Sequence, residues 1–362
     1  MQKITLDTAR YHTEIGNQVS ILALEEGIDL SIDFPCDYQQ LNIHKAMLFR
    51  PWLAIFYGFY KLLLRNIFPH SEFIWDRFFY TGMVNRFLHN QASFDAIFVN
   101  GARAMSRMNG VSHPNIVFSL HLPNTLSGKP RSIYYNFLFR SLFKGKRVFC
   151  VSKFIENEIR DKAKQLEFEL KNISTIHNPC DQKKIQALGK GAFDYDSKFI
   201  LGVGRLSKQK RFDLLIEAYK QSEIDYKLVI LGQGNQEKKL RELIKHLKLE
   251  NKVELAGFDN NPFRWMKHAE FFVLSSDLEG WGLVLNEAIA VGTPVISTDC
   301  GPITEVLTGS LANGIVPKNN IDALAQKIAE FTVAPIVPPE NALDRLSFAN
   351  IIQQQMALAE AD

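Results

Sequence analysis

The run EFFVLSSDLEGWGLVLNEAIAVGTPVIST, residues 270–298, reads as strand, turn, helix and strand. Phe271–Leu274 is apolar at every position and ends in Ser275-Ser276, as a strand buried on both faces does. Glu279-Gly280-Trp281-Gly282 makes the turn, a helix follows from Gly282, and TPVIST opens the next strand. Two apolar strands joined by a helix form a βαβ unit, which places neighbouring strands parallel and covers both faces of their sheet.

The same alternation extends upstream through KFILGVG, a helix from Phe212, KLVILGQG, a helix from Asn235, KVELAG and a short helix near 262–268. Downstream it ends with a helix from Ile321. Residues 198–339 therefore read as one parallel α/β domain. The first half repeats the pattern less cleanly, with QVSILAL (18–24), DAIFVN (95–100), NIVFSLH (115–121), a helical stretch at 132–143, RVFCVS (147–152), a charged helix at 154–165 and STIHNP (174–179). We read 1–180 as a second α/β domain and 181–197, with Gly189 and Gly191, as the linker. The proline-rich 335–339 precedes a helical segment, Phe348–Ala359, and the tail 340–362 is expected to pack on the first domain. In such sheets ligands bind beyond the carboxyl ends of the strands, so a cleft between the two domains is the expected site.

Composition narrows the class of protein. The chain has 362 residues, 46% hydrophobic and 22% charged, with a net charge of +3. Residues 1–180 carry 21 basic against 15 acidic side chains, and the remainder 21 against 24. A basic first half suits a phospholipid surface, a phosphorylated acceptor or a nucleic acid, and equally an ordinary solvated surface. Cys36, Cys150, Cys180 and Cys300 lack metal-ligand or redox-pair spacing and read as reduced thiols. The amino terminus has no apolar leader-like stretch, and the apolar run Pro51–Tyr60 is far shorter than the roughly 20 residues a membrane span needs. The expected location is cytoplasmic. Between Ile43 and Phe87 aromatic and basic residues interleave, which fits an interfacial membrane element, the wall of an acceptor groove, or core with snorkelling cations.

Four places carry chemistry. Gly280 and Gly282 let a backbone approach a ligand and leave amides at a helix N-terminus, which suits phosphate or sugar oxygens. Glu279 and Glu287 flank that turn, and Glu287 stands in an otherwise apolar helix where a carboxylate needs a donor. Gly202–Tyr219 puts Arg205 and Lys210 across one glycine turn after Gly204, placed to meet one diphosphate. His121 ends a strand, where an imidazole can donate to or orient a substrate hydroxyl. LGQG, 231–234, is a weaker glycine turn, and Ser152 reads first as a helix cap and second as a ligand contact.

The segment 275–306 resembles the signature of the retaining glycosyltransferases of family 4, in which two glutamates with seven residues between them face a nucleotide-sugar donor. The resemblance is strong over 199–327 and moderate before that. It implies the GT-B architecture, two Rossmann-like domains facing a cleft with the C-terminal helix returning to the first. It also implies roles: Glu279 on the transferred sugar, Glu287 on the ribose, the backbone from Gly280 through Trp281 and Gly282 to Leu283 on sugar and phosphate oxygens, and Arg205 with Lys210 on the departing diphosphate. Gly257 and Phe258 fall in the neighbourhood of the base, and His121 matches a histidine near the reacting centre. Gln233 stands where members often carry an acid.

The resemblance thus implies transfer from a nucleoside-diphosphate sugar, UDP-linked, to a glycan or lipid-linked acceptor in bacterial surface polysaccharide synthesis. Contact with the inner face of an anionic membrane is part of the expectation, and a nucleic-acid partner is not. No cofactor is expected. The one Asp-x-Asp, Asp194–Asp196, lies away from a strand end, and no metal is implied. The alternatives are a UDP-sugar epimerase on the same architecture and a non-catalytic homologue acting as a partner protein. Members of the family open with a strand and a glycine-rich loop, whereas Met1 here aligns just after that loop, so a shortened front is also expected.

Overall fold

The computed structural model describes residues 2–24, 32–41, 51–64, 72–90, 93–121, 133–170 and 172–361. The chain divides into two compact units, one of residues 1–151, 155–176 and 352–362, the other of 152–154 and 177–351.

The first unit opens with helix α1 (Gln2–Glu14), followed by the parallel pair β1 (Ser20–Ala23) and β2 (Asp37–Gln40). Two helices follow, α2 (Pro51–Phe59), which runs on into a π-helical turn at Tyr60–Leu64, and α3 (Glu72–Asn90). A second, four-stranded parallel sheet has the order β3 (Ile97–Asn100), β4 (Ile116–Leu120), β5 (Arg147–Cys150) and β6 (Asn172–Thr175). Helices α4 (Ala102–Arg107), α5 (Ile133–Phe143) and α6 (Lys153–Gln165) lie between those strands in sequence. β4 is buried along its whole length, so it reads as a continuous apolar run. β1 and β3 each have a strand partner on one side only among the described residues. The end of the chain belongs to this unit, and Arg147 Nη1 donates to the Ala359 carbonyl at 2.7 Å.

The second unit begins with α7 (Gln182–Gly189), whose N-terminus is capped by the Asp181 carboxylate accepting from Lys184 N. Its sheet runs β12 (Ile315–Val316), β11 (Val295–Thr298), β10 (Phe271–Leu274), β7 (Phe199–Val203), β8 (Lys227–Leu231), β9 (Val253–Gly257), and all five pairings are parallel. Strand alternation sorts the side chains to two faces. Ile200, Leu228, Ile230, Phe271, Val273 and Ile296 share one core with α8 (Phe212–Ser222), α9 (Glu237–His246) and α13 (Ile321–Val333). Residues between them, such as Leu201, Val229 and Phe272, are buried from the other side. α7 packs with α10 (Pro262–His268) and α11 (Leu283–Ala290), and short α12 (Ile303–Val306) and C-terminal α14 (Phe348–Glu360) complete the chain.

Residues 193–195 alternate inward and outward. The Phe193 and Tyr195 rings meet the Trp265 ring at 5.0 and 5.5 Å, which leaves Asp194 and Asp196 exposed on the opposite side. This Asp-x-Asp is the polar edge of an aromatic strap. Among the described residues no group of three or more His, Cys, Asp or Glu is arranged to hold a metal ion.

Candidate active site

The strand order places β7 next to β10, with β8–β9 continuing one way and β11–β12 the other. This is the topological switch point of a doubly wound sheet, where loops leave two adjacent strands in opposite directions and open a crevice at their carboxyl ends. The two loops that meet there are 204–211 after β7 and 275–282 after β10, the pair that carries the cations and the first glutamate.

The loops are laced together. Ser275 Oγ donates to the Lys210 carbonyl at 2.8 Å, Asp277 N to the Gln209 carbonyl at 2.8 Å, and Gln209 Nε2 to the Leu278 carbonyl at 2.6 Å. Arg211 Nη1 pairs with Asp277 at 3.0 Å. A third loop joins from β8: Leu206 N donates to the Gln233 carbonyl at 2.9 Å, and a Cβ on Gly232 would lie 1.8 Å from the Gly204 carbonyl oxygen. LGQG is glycine-rich because its backbone lies directly on the cation loop. From the other side, Glu279 N donates to the Cys300 carbonyl at 2.9 Å, and Thr298 Oγ1 to the Ser276 carbonyl at 2.6 Å. The strand β11 thus props the glutamate loop.

On this frame Lys210 Nζ and Glu279 Oε1 form an ion pair at 2.7 Å, with side-chain exposures of 18% and 12%. Ser276 Oγ donates to the same oxygen at 2.6 Å. Burial first, and the neighbouring Glu279 charge second, push the Cys300 thiol up to about 12, so it stays protonated beside the pair. Arg205 is exposed. Gly282 adopts φ +79°, a left-handed conformation that starts α11 and strains any other residue. Glu287 lies on α11, half-buried, and Phe258, after Gly257, is 70% exposed.

Trp281 is buried, its indole stacked on His177 with centroids 4.2 Å apart and planes 24° off parallel. Glu305 lies 3.4 Å from His177 Nε2 and accepts from Lys153 N and Phe154 N at 2.7 and 2.9 Å. The amides of Lys153 and Phe154 are thus met by a carboxylate distant in sequence. Thr298, His177 and Glu305 have no local signal, because each acts on a residue that only folding brings near, whereas Ser276 stands three positions before Glu279 in the same loop.

His121 belongs to the first unit. The Ser119 hydroxyl donates to Asn100 Oδ1 at 2.7 Å and has a second acceptor, the Val99 carbonyl, at 3.3 Å. Its oxygen, 3.1 Å from His121 Nε2, must then accept from Nε2–H, which leaves Nδ1 with a lone pair. Burial pushes the imidazole down to about 4. Its neutral form thus contributes stability in full above pH 6.5. That contribution is lost as pH falls from 6.5 to 4, where the unfolded chain takes up a proton the folded one refuses. A His121→Asn variant should lose up to about 3 kcal/mol less stability than the parent between pH 7 and pH 4 in urea titrations.

This fold is shared with known structures. A Rickettsia africae glycosyltransferase superposes with a TM-score of 0.72 at 15% identity, over 99% of this chain and 94% of that one. Anabaena HepE in complex with UDP and glucose superposes at 0.68 and 17%, over 98% and 94%. The molecule is a two-domain protein of the GT-B class. Residues 184–340 match the family described as glycosyl transferases group 1, and this part of the chain belongs to that family.

Among curated relatives, the Campylobacter jejuni N-acetylgalactosamine-N,N'-diacetylbacillosaminyl-diphospho-undecaprenol 4-alpha-N-acetylgalactosaminyltransferase is 34% identical over 251 residues, 69% of this chain and 62% of that protein. The putative colanic acid biosynthesis glycosyltransferase WcaL of Escherichia coli is 36% identical over 155 residues, 38% of each. The chain thus spans less than two thirds of the length of these relatives.

Proposed function

We propose that the protein transfers a sugar, with retention of configuration, from a UDP-linked donor to a glycan or lipid-linked acceptor of a bacterial surface polysaccharide. The observation that carries this reading is the Lys210–Glu279 pair at the switch point, a cation and a carboxylate on two laced loops. Lys210 and exposed Arg205 meet the donor's diphosphate and stabilise it as it leaves, while Glu279 takes hydroxyls of the sugar. Glu287 binds the ribose, Phe258 and Gly257 lie by the base, and the backbone from Gly280 to Leu283 meets sugar and phosphate oxygens. The acceptor hydroxyl attacks from the face the diphosphate leaves. His121 presents the Nδ1 lone pair to a substrate hydroxyl.

A donor screen by thermal shift tests the reading, since a ligand at 100 times its dissociation constant adds about 2.7 kcal/mol. Stabilisation by UDP and by one UDP-sugar is expected. Product analysis then separates transfer from epimerisation, which needs no acceptor. Absence of any response across nucleoside diphosphates would count against the reading.

A lipid-linked acceptor fits a surface on the first unit. Trp52, Ile55, Phe56 and Phe59 recur at helical spacing on α2, and Leu62 and Leu63 continue the apolar series into the π-turn. Trp52, Ile55 and Leu62 are 61%, 75% and 76% exposed, while Tyr60 is buried. Residues 38–71 contain four basic and no acidic residues. Such a stripe suits the interface of an anionic bilayer, at the inner face of the cytoplasmic membrane. No described helix is long and apolar enough to cross one. We expect cosedimentation with phosphatidylglycerol vesicles, weakened in 1 M salt where the screening length is roughly 3 Å. Ile55→Ser with Leu62→Ser should abolish it, and binding unchanged by those substitutions would remove the stripe from the interface.

A further inference from the structure

We propose that Ser276 is a positioning residue: it holds the Glu279 carboxylate in place while Lys210 leaves it for the donor's diphosphate. The inference rests on the glycosyl-transfer reading of the site.

Glu279 Oε1 receives two donors, Lys210 Nζ at 2.7 Å and Ser276 Oγ at 2.6 Å. Among the described residues no donor reaches Oε2, which remains for a ligand hydroxyl. The two donors differ in mobility. Lys210 carries its charge on a flexible four-carbon stem and is drawn to any polyanion that enters. Ser276 is 0% exposed and cannot follow. Its carbonyl is held by Thr298 Oγ1 at 2.6 Å, and its neighbours Ser275 and Asp277 are bonded to the Lys210 and Gln209 carbonyls.

A carboxylate left by its cation would otherwise swing toward the same phosphate-binding cations or toward solvent. The hydroxyl prevents that by donating its single proton to Oε1 throughout, so Oε2 keeps facing the sugar. When the diphosphate departs, Lys210 returns to a carboxylate that has not moved. The ion pair thus serves the empty site, and the Ser276 bond serves the occupied one.

Two measurements test this. Without ligand, crystal structures of Lys210→Ala and of Lys210→Ala with Ser276→Ala report the Glu279 rotamer. Glu279 should keep its position in the single variant and leave it in the double. A carboxylate that stays in the double variant, or one already displaced in the single, overturns the proposal. With ligand, calorimetry on Ser276→Ala compares UDP with a panel of UDP-linked hexoses and N-acetylhexosamines. UDP affinity should stay within about twofold, and the extra affinity conferred by the sugar should fall about tenfold or more. Equal loss for UDP and UDP-sugar would mark a merely structural role. Ser276→Cys, which keeps the volume and weakens the donor, carries the test if the alanine variant fails to fold. If the parent binds no UDP-sugar, the glycosyl-transfer reading fails, while the ligand-free comparison still decides what holds Glu279.

Discussion

Glu279→Gln should lower turnover ~10²–10³-fold while binding UDP at least as tightly as the parent. The carboxylate is proposed to act on the sugar, which UDP lacks, so the bare nucleotide loses nothing. The structure adds a sign to this expectation. Glu279 holds Lys210 at 2.7 Å, and a neutral amide releases that ammonium for the diphosphate. UDP affinity should therefore hold or rise. Glu287→Gln should behave differently, weakening UDP itself by about tenfold, because a ribose hydroxyl loses a charged acceptor. Calorimetry with UDP on both variants, beside donor turnover, decides the assignment. Equal losses of UDP affinity would overturn it.

Replacing Lys210 or Arg205 by Ala should weaken UDP about ten- to a hundredfold and leave uridine binding nearly unchanged. Both cations are assigned to the diphosphate, but they start from different states. Arg205 is exposed, so its loss removes attraction alone. Lys210 is already paired, so its loss also leaves Glu279 with the Ser276 hydroxyl as its remaining donor. That hydroxyl makes the bond that serves the occupied site, so Lys210→Ala and Arg205→Ala should both reduce turnover through weaker stabilisation of the departing diphosphate, not through a displaced Glu279. With two cations on the leaving group, turnover is expected without added divalent metal. Activity abolished by a chelator and restored by manganese would refute that mechanism.

The sequence by itself determined the second domain almost completely. Its central strands β7, β8 and β10 are buried on both faces, so each is written as a run of four or five residues without a charge inside it, and a glycine-containing loop follows at the carboxyl end. Arg205, Lys210 and Glu279 fall in the loops that leave β7 and β10, where a doubly wound sheet places its ligand loops, and Glu287 falls in the helix that follows. The first domain was less legible. Asp37–Gln40 pairs with Ser20–Ala23, yet its DYQQ sequence is largely exposed and shows no apolar alternation.

Only the tertiary structure decided how the site is held. It placed Lys210 on Glu279, 69 positions away, and gave Thr298 its partner in the glutamate loop. It also showed that Gly232 permits the close approach of one loop backbone to another. Periodicity records which face of an element is buried, because that constraint repeats along the chain. A hydrogen bond between two loops involves one residue from each and repeats nowhere, so it becomes visible only once the sheet has brought the two strand ends together.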